Sequence, residues 1–217
     1  MAKVAKAIFP PVDAGNWRRR LHIDLGLHMI NRIVFFDAYR RAFGKLRQSQ
    51  VDGLTVTLNL IDRWPWASIE ETAYYLATKK HECADTWWPI EERGPVSYFD
   101  KYEPGTDIGR QLGNTMTGDG YLFRGRGDVQ ITGRRNYEWA AHITGFPLIS
   151  YPDGMRWPEL AYRVTQIGMQ TGAFTGRKLS DFPGDYVQMR RVVNCLDRAQ
   201  LIAGYAEGFE RILKEAA

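Results

Sequence analysis

The sequence predicts a mainly α, single-domain protein with a loop-rich middle, and three observations carry that prediction. Apolar residues recur at helical spacing in several separate stretches, one stretch opens with a strong helix-start signature, and turn formers crowd the interval 94–133. A length of 217 residues suits one domain with its own core, and no linker, internal repeat or low-complexity tract divides it. Residues 1–20, with turn formers at Asp13, Gly15 and Asn16, read as an N-terminal arm leading into a domain that spans 21–217.

Each element follows from its local pattern. Leu21, Leu25, Met29, Ile33, Phe36 and Phe43 predict a helix or helix pair across 21–43. Ser68-Ile69-Glu70-Glu71 is a capping-box signature, in which the Ser side chain takes an orphan N–H and the Glu reaches back to the cap. A helix is expected from 69 to about 80, with Ile69, Ala73, Leu76 and Ala77 as one buried stripe, which puts His81 and Glu82 at its C-terminal end. Trp88-Pro89 stops that helix from continuing, because a residue before proline is pushed out of the α region. The glycine-rich stretch 94–133 reads as loops with at most a short hairpin. Helical periodicity returns at 136–143, at 158–174 and most clearly at 186–213.

Composition narrows the class. Hydrophobic residues at 44% and charged residues at 25% are globular values and argue against disorder and coiled coil. Aromatics at 13% mostly fill a core, but their flat faces also suit stacking on bases or sugar rings. A formal net charge of +4 favours polyanionic partners such as nucleic acid, anionic membrane or bacterial wall polymers. Cys83 and Cys195 lie outside any CxxC or Cys/His ligand spacing, so two free buried thiols are expected and neither a metal nor a cofactor. Pro10 and Pro11 interrupt the apolar patch near the start, so no signal peptide is expected. The apolar stretches 33–36 and 54–61 fall far short of the roughly 20 residues that span a bilayer.

The chemistry centres on carboxylates. Cleaving a glycosidic bond needs one carboxylic acid to protonate the leaving oxygen and a second carboxylate to activate water or attack carbon. Glu82, flanked by His81, Trp87 and Trp88, is placed to be the first, and Glu91 and Glu92 follow beyond a proline turn that could bring one of them back across a groove. Competing motifs fail. A zinc-protease helix needs a second His four residues after His81, where Asp85 stands; there is no GxSxG; and Gly125-Arg126-Gly127 lacks both the GxGxxG spacing and the P-loop Lys.

The order of segments then resembles a known family. Lys80-His81-Glu82, Pro89-Ile90-Glu91-Glu92, Leu112-Gly113-Asn114-Thr115, Gly118-Asp119-Gly120-Tyr121 and the long string from Phe123-Arg124-Gly125-Arg126-Gly127 through Gln130-Ile131-Thr132 to Asn136-Tyr137 are similar to family 19 glycoside hydrolases, especially their phage and prophage endolysins. Gly172-Ala173-Phe174-Thr175 and Arg190-Arg191-Val192-Val193-Asn194 extend the likeness, which covers about 68–213. It departs where many relatives read Asn-Gly-Gly and this chain has Asn194-Cys195-Leu196.

The resemblance implies a lysozyme-like domain with helical lobes around a substrate groove. It implies Glu82 as general acid, Glu91 as the base on water and Thr132 as the hydroxyl that helps hold that water, with Gln130, Asn136, Tyr137, Tyr121 and Asn194 lining the sugar-binding cleft. Glu92 is the alternative base; spacing from Glu82 favours Glu91. The reaction expected is inverting hydrolysis of β-1,4 bonds in peptidoglycan glycan strands, with chitin as the second substrate. The expected enzyme is a monomer that binds no nucleic acid and does not insert stably into membrane. It would wait in the host cytoplasm until another protein permeabilises the membrane. A catalytically inactive sugar-binding module and a basic nucleic-acid-binding protein are the rival classes.

Overall fold

A computed structural model of the chain describes residues 29–217. The expected arm, 1–20, and the first part of the expected helical stretch, 21–28, lie outside the described residues.

Helix α1 (Arg32–Phe43) starts at Asn31, whose side chain accepts hydrogen bonds from the N–H groups of Ile33 and Val34, and buries Phe35, Ala38 and Tyr39. Helix α2 (Gln48–Arg63) was not anticipated, although Val51, Leu54, Leu58 and Ile61 keep helical spacing; Arg47 stands at its N-cap, where a capping Ser, Thr, Asp or Asn would have marked the start. Helix α3 (Ile69–Glu82) begins where the capping signature put it. The Ser68 hydroxyl accepts from Glu71 N at 3.1 Å, but the Glu71 carboxylate reaches one residue further back than a capping box requires, to Ala67 N at 3.3 Å. Burial runs unbroken from Glu71 to Lys79, so α3 is the centre of the core and not a one-sided surface helix.

The middle is more structured than expected. Strands β1 (Ile90–Glu91) and β2 (Arg126–Gly127) pair antiparallel, with Ile90 opposite Gly127 and Glu91 opposite Arg126. Between them lie a 3-10 segment (Val96–Tyr102) and two short helices, α4 (Asp107–Leu112) and α5 (Asp119–Leu122). Elements of four to seven residues hold too few apolar positions to show a period, which is why the sequence reads there as loop.

Helices α6 (Arg134–Thr144) and α7 (Pro158–Thr171) match two expected stretches, Pro158 sitting in the first turn of α7, where its missing N–H costs nothing. The stretch 186–213 is not one helix. It divides into α8 (Tyr186–Met189), a 3-10 turn (Arg190–Val192), an irregular bend and α9 (Ala199–Ala216), with Arg198 in the left-handed region at φ 57°.

Two apolar clusters hold this arrangement. The larger gathers Phe35, Leu58, Trp66, Leu76, Trp87, Ile202 and Phe209 where α3 packs against α9, with α1 and α2 alongside. The smaller gathers Phe123, Ile131, Tyr137, Trp139, Leu148, Met155 and Val164 around α6 and α7, and Phe174 packs against both. At about 1.5–3 kcal/mol for each fully buried large side chain, either cluster outweighs any surface ion pair in the molecule. No described helix is long and apolar enough to cross a membrane.

Candidate active site

Glu82 is the last residue of α3. Its carboxylate meets Arg190, whose Nη1 lies 2.7 Å from Glu82 Oε1; the two side chains are 20% and 2% exposed. Arg190 is held from the other side, its Nε donating to the Asp197 carbonyl at 3.0 Å. The 3-10 turn that breaks the expected C-terminal helix is therefore the element that delivers a guanidinium to the end of α3. The aromatic flank expected around Glu82 is elsewhere. Trp87 is buried in the core against Tyr39 and Phe209, and Trp88 donates its indole N–H to the Ser49 carbonyl at 3.0 Å. To leave α3 the chain takes left-handed conformations at Ala84, Asp85 and Trp87, with φ of 49°, 58° and 67°, which are costly for residues with a β-carbon.

One turn before Glu82, Lys79 is buried and ion-paired to buried Asp128, at 3.0 Å from Oδ1 and 3.1 Å from Oδ2. The Tyr75 hydroxyl donates to the same carboxylate at 2.7 Å. Cys83, immediately after Glu82, directs its thiol at the Asp128 carbonyl at 3.8 Å, and burial pushes that thiol well above its ordinary pKa. These contacts fix the loop 128–132 against the end of α3.

That loop and strand β1 bring three polar side chains together. The Glu92 N–H donates to the Gly125 carbonyl at 2.8 Å, extending the β1–β2 ladder by one residue, so Glu91 and Glu92 point to opposite faces. A β-carbon at Gly125 would lie 2.9 Å from Gln130 Oε1, 3.2 Å from Thr132 Oγ1 and 3.3 Å from Glu92 Oε2. Glycine leaves open the space on which those three groups converge. Glu92 also accepts from the Tyr102 hydroxyl at 3.1 Å, with the Lys101 ammonium 3.9 Å away. Gln130 reaches its place through a left-handed backbone, φ 58°, and its side-chain amide donates to the Ile90 and Gly127 carbonyls.

Glu91 is differently employed. Its carboxylate is paired with Arg124 at 3.0 Å and Arg126 at 2.8 Å, and Arg126 is also 3.0 Å from Asp153. Burial works to raise the Glu91 pKa, but the two guanidinium groups overcome it and hold the carboxyl below the usual carboxylate range.

The remaining expected residues divide. The Thr132 hydroxyl donates to the Gln130 carbonyl at 2.9 Å, and Asn136 braces the same loop by donating to the Thr132 carbonyl at 2.7 Å. Tyr137, expected in the cleft, is fully buried; its hydroxyl accepts from Arg126 and donates to the Arg124 carbonyl, both at 2.9 Å, so it supports the arginines from behind. Tyr121 is 39% exposed, under the Arg124 guanidinium and edge-on to Phe99. Asn194, half-buried beside the Arg190 turn, accepts from Cys195 N at 2.8 Å, and the Cys195 thiol is exposed in that irregular bend, not buried as expected. Sequence reasoning did not assign roles to Arg190, Tyr102 or the Lys79–Asp128 pair; Lys79 lies in the polar stretch 78–82, where nothing local marks it for burial.

No protein-family model and no curated protein matches the sequence. Solved structures do match its fold. Chitinase C from Streptomyces griseus HUT6037 superposes with a TM-score of 0.56 at 16% identity, over 85% of this chain and 76% of that one. A bacterial family 19 chitinase superposes with a TM-score of 0.56 at 19% identity, over 83% of this chain and 95% of that one. The chain therefore has the lysozyme-like, mainly helical fold of the family 19 chitinases.

Proposed function

We propose that this chain is a glycoside hydrolase that cuts β-1,4-linked amino-sugar polymers by an inverting acid/base mechanism. One observation carries the reading: a second carboxylate, a hydroxyl and an amide converge over Gly125, and the loop that carries the last two is tied by the buried Lys79–Asp128 pair to the helix that ends in Glu82. In this mechanism Glu82 protonates the leaving oxygen. Glu92 takes a proton from water, the role expected of Glu91, because Glu92 shares the Thr132 and Gln130 face whereas Glu91 is committed to two arginines. Thr132 has its hydrogen bound to the Gln130 carbonyl and so offers lone pairs. A water donating one hydrogen to Glu92 and the other to Thr132 would aim its own lone pair at the anomeric carbon. Such a geometry needs carboxyl groups about 6.5–9.5 Å apart.

The substrate proposed is the glycan strand of peptidoglycan, supported by the formal net charge of +4, which suits an anionic wall, and by the endolysin-like motif wording. Chitin is the second reading, favoured by the names of the structural neighbours. The test is hydrolysis of purified sacculi and of chitin, with mass analysis of the fragments, by the wild type and Glu82→Gln. The amide keeps the shape but cannot donate the proton, so a loss of roughly 10²–10⁴-fold is expected in a variant that still folds, with a lowered melting temperature because the buried Arg190 loses its charged partner. Near-wild-type turnover by Glu82→Gln, or no sugar released from either polymer by the wild type, would sink the proposal.

A further inference from the structure

Phe146, Tyr151 and Trp157 form a ring cluster that the mechanism proposed above does not use. Ring centroids are 4.9 Å apart for Phe146 and Trp157, 5.8 Å for Tyr151 and Trp157, and 6.2 Å for Phe146 and Tyr151. Phe146 is half-buried beneath, while Tyr151 and Trp157 are 48% and 47% exposed. Large aromatic side chains left half in water are the informative kind of exposure, because their burial elsewhere would be favourable.

The cluster is rigidly built. Tyr151 N donates to the Pro147 carbonyl at 2.9 Å, Gly154 N to the Tyr151 carbonyl at 3.1 Å and Trp157 N to the Gly154 carbonyl at 2.9 Å, so successive turns present the two outer rings. A β-carbon at Gly154 would fall 2.6 Å from Phe146 Cε1; glycine is what lets the supporting ring lie against the turn. Ser150 and Arg156, both exposed, provide polar groups beside the rings. Asp153 in the same turn is 3.0 Å from Arg126, which also holds Glu91, so the cluster is fastened to the β1–β2 ribbon.

Size and chemistry point to the occupant. At about 150–250 Å² per aromatic side chain, two half-exposed rings offer on the order of 200 Å². A stable protein partner covers about 800 Å² on each side. A patch this small, flat and edged by polar groups fits one or two pyranose rings, whose C–H faces stack on aromatics while their hydroxyls reach the rim.

We propose that Tyr151 and Trp157 form a second glycan-binding platform, outside the catalytic groove, that holds a β-1,4 amino-sugar strand and keeps the enzyme on its polymer. The proposal rests on the polymer-degrading reading above. It is tested by co-sedimentation of Glu82→Gln with purified sacculi and, separately, with chitin, with and without Tyr151→Ala and Trp157→Ala. The double substitution should weaken retention by about tenfold or more on the polymer that is bound, the equivalent of about 1.4 kcal/mol. Trp157→Phe should largely restore it, and in the Glu82 enzyme the double variant should hydrolyse a short soluble oligosaccharide at the wild-type rate. A folded double variant retained as well as its parent on both polymers overturns the proposal. So does a wild-type dimer that the double substitution dissolves, which would make the patch a self-association surface. Should the double variant not fold, the indole N–H resonance of Trp157 in Glu82→Gln must shift when an N-acetylglucosamine oligosaccharide is added; no shift at saturation overturns the proposal. Binding is read without turnover, so a wild type inactive on both polymers, with retention still lost on the double substitution, refutes the hydrolase reading alone.

Discussion

Arg190 closes on Glu82 from a buried position, 2.7 Å from nitrogen to oxygen, and so couples the end of α3 to the turn that interrupts the C-terminal helices. Removing one partner of a buried pair strands the other and costs about 3–5 kcal/mol. Because the Glu82 side chain retains 20% exposure, Arg190→Ala is expected at the lower end of that range, with activity lost as well. Arg190→Lys should recover part of the stability but not the planar grip on Glu82 and the Asp197 carbonyl. Urea denaturation midpoints and hydrolysis rates read both; an unchanged midpoint for Arg190→Ala would mean that the contact does not hold the turn.

The two adjacent glutamates should separate by kind of effect. Glu92→Gln should reduce kcat by roughly 10²–10⁴-fold with little change in melting temperature, as for loss of a general base. Glu91→Gln should lower the melting temperature, since it unpairs Arg124 and Arg126, and affect kcat less. The opposite ranking would return the base to Glu91.

Acid stability carries a sign fixed by these pairs. Glu91 and Asp119 both sit below the ordinary carboxylate range. Burial raises each, but Arg124 and Arg126 prevail at Glu91, and Arg134 with the Met116 and Thr115 N–H groups prevails at Asp119. A carboxylate depressed in the folded state contributes stability that is complete above its unfolded pKa of about 4 and is lost as pH falls through the folded value. The melting temperature should therefore hold through the neutral range and drop below about pH 4, and Glu91→Gln should flatten that drop. A variant that follows the wild-type curve in acid would show that the Glu91 pairs contribute nothing there.

Stereochemistry tests the water-holding cluster. Direct displacement by a water held between Glu92 and Thr132 gives the α-anomer first. Thr132→Ala should slow hydrolysis by roughly ten- to a hundred-fold, the effect of one positioning hydrogen bond at about 1.4 kcal/mol per decade, with binding largely kept. Magnetic resonance of a defined oligosaccharide, recorded before the anomers equilibrate, reads the product. A β-anomer would indicate retention and an anhydro end a transglycosylase, and either would remove the water from the mechanism.

What was legible in the sequence was whatever depends on local spacing. Ser68 announced α3 and thereby put Glu82 at a helix end, and the periodicity around Tyr137 and Tyr162 marked α6 and α7. What was hidden depends on long-range partners. Residue spacing favoured Glu91 over Glu92, but strand phase decides which one faces Thr132, and that phase is set by pairing with residues 125–127. Tyr137 carries a cleft motif yet spends its hydroxyl on Arg124 and Arg126, which only the folded chain reveals. The break after Met189 escaped periodicity because it is made by Arg190 turning inward to a carboxylate more than a hundred residues earlier.

The Lys79–Asp128 pair also bears on motion. With both side chains withdrawn from water and Tyr75 on the same carboxylate, separating loop 128–132 from α3 would expose an unmatched charge on each side, so Glu82 and Thr132 travel as one body. The short elements between Glu92 and Gly125 are tied down separately, by the buried Asp119 paired with Arg134 and by Asn114, whose side chain accepts from Arg134 N and donates to the Tyr102 carbonyl, both at 2.7 Å. Under the proposed reaction, the spacing between Glu82 and Thr132 would be set by the fold before a sugar arrives, not by the sugar's arrival.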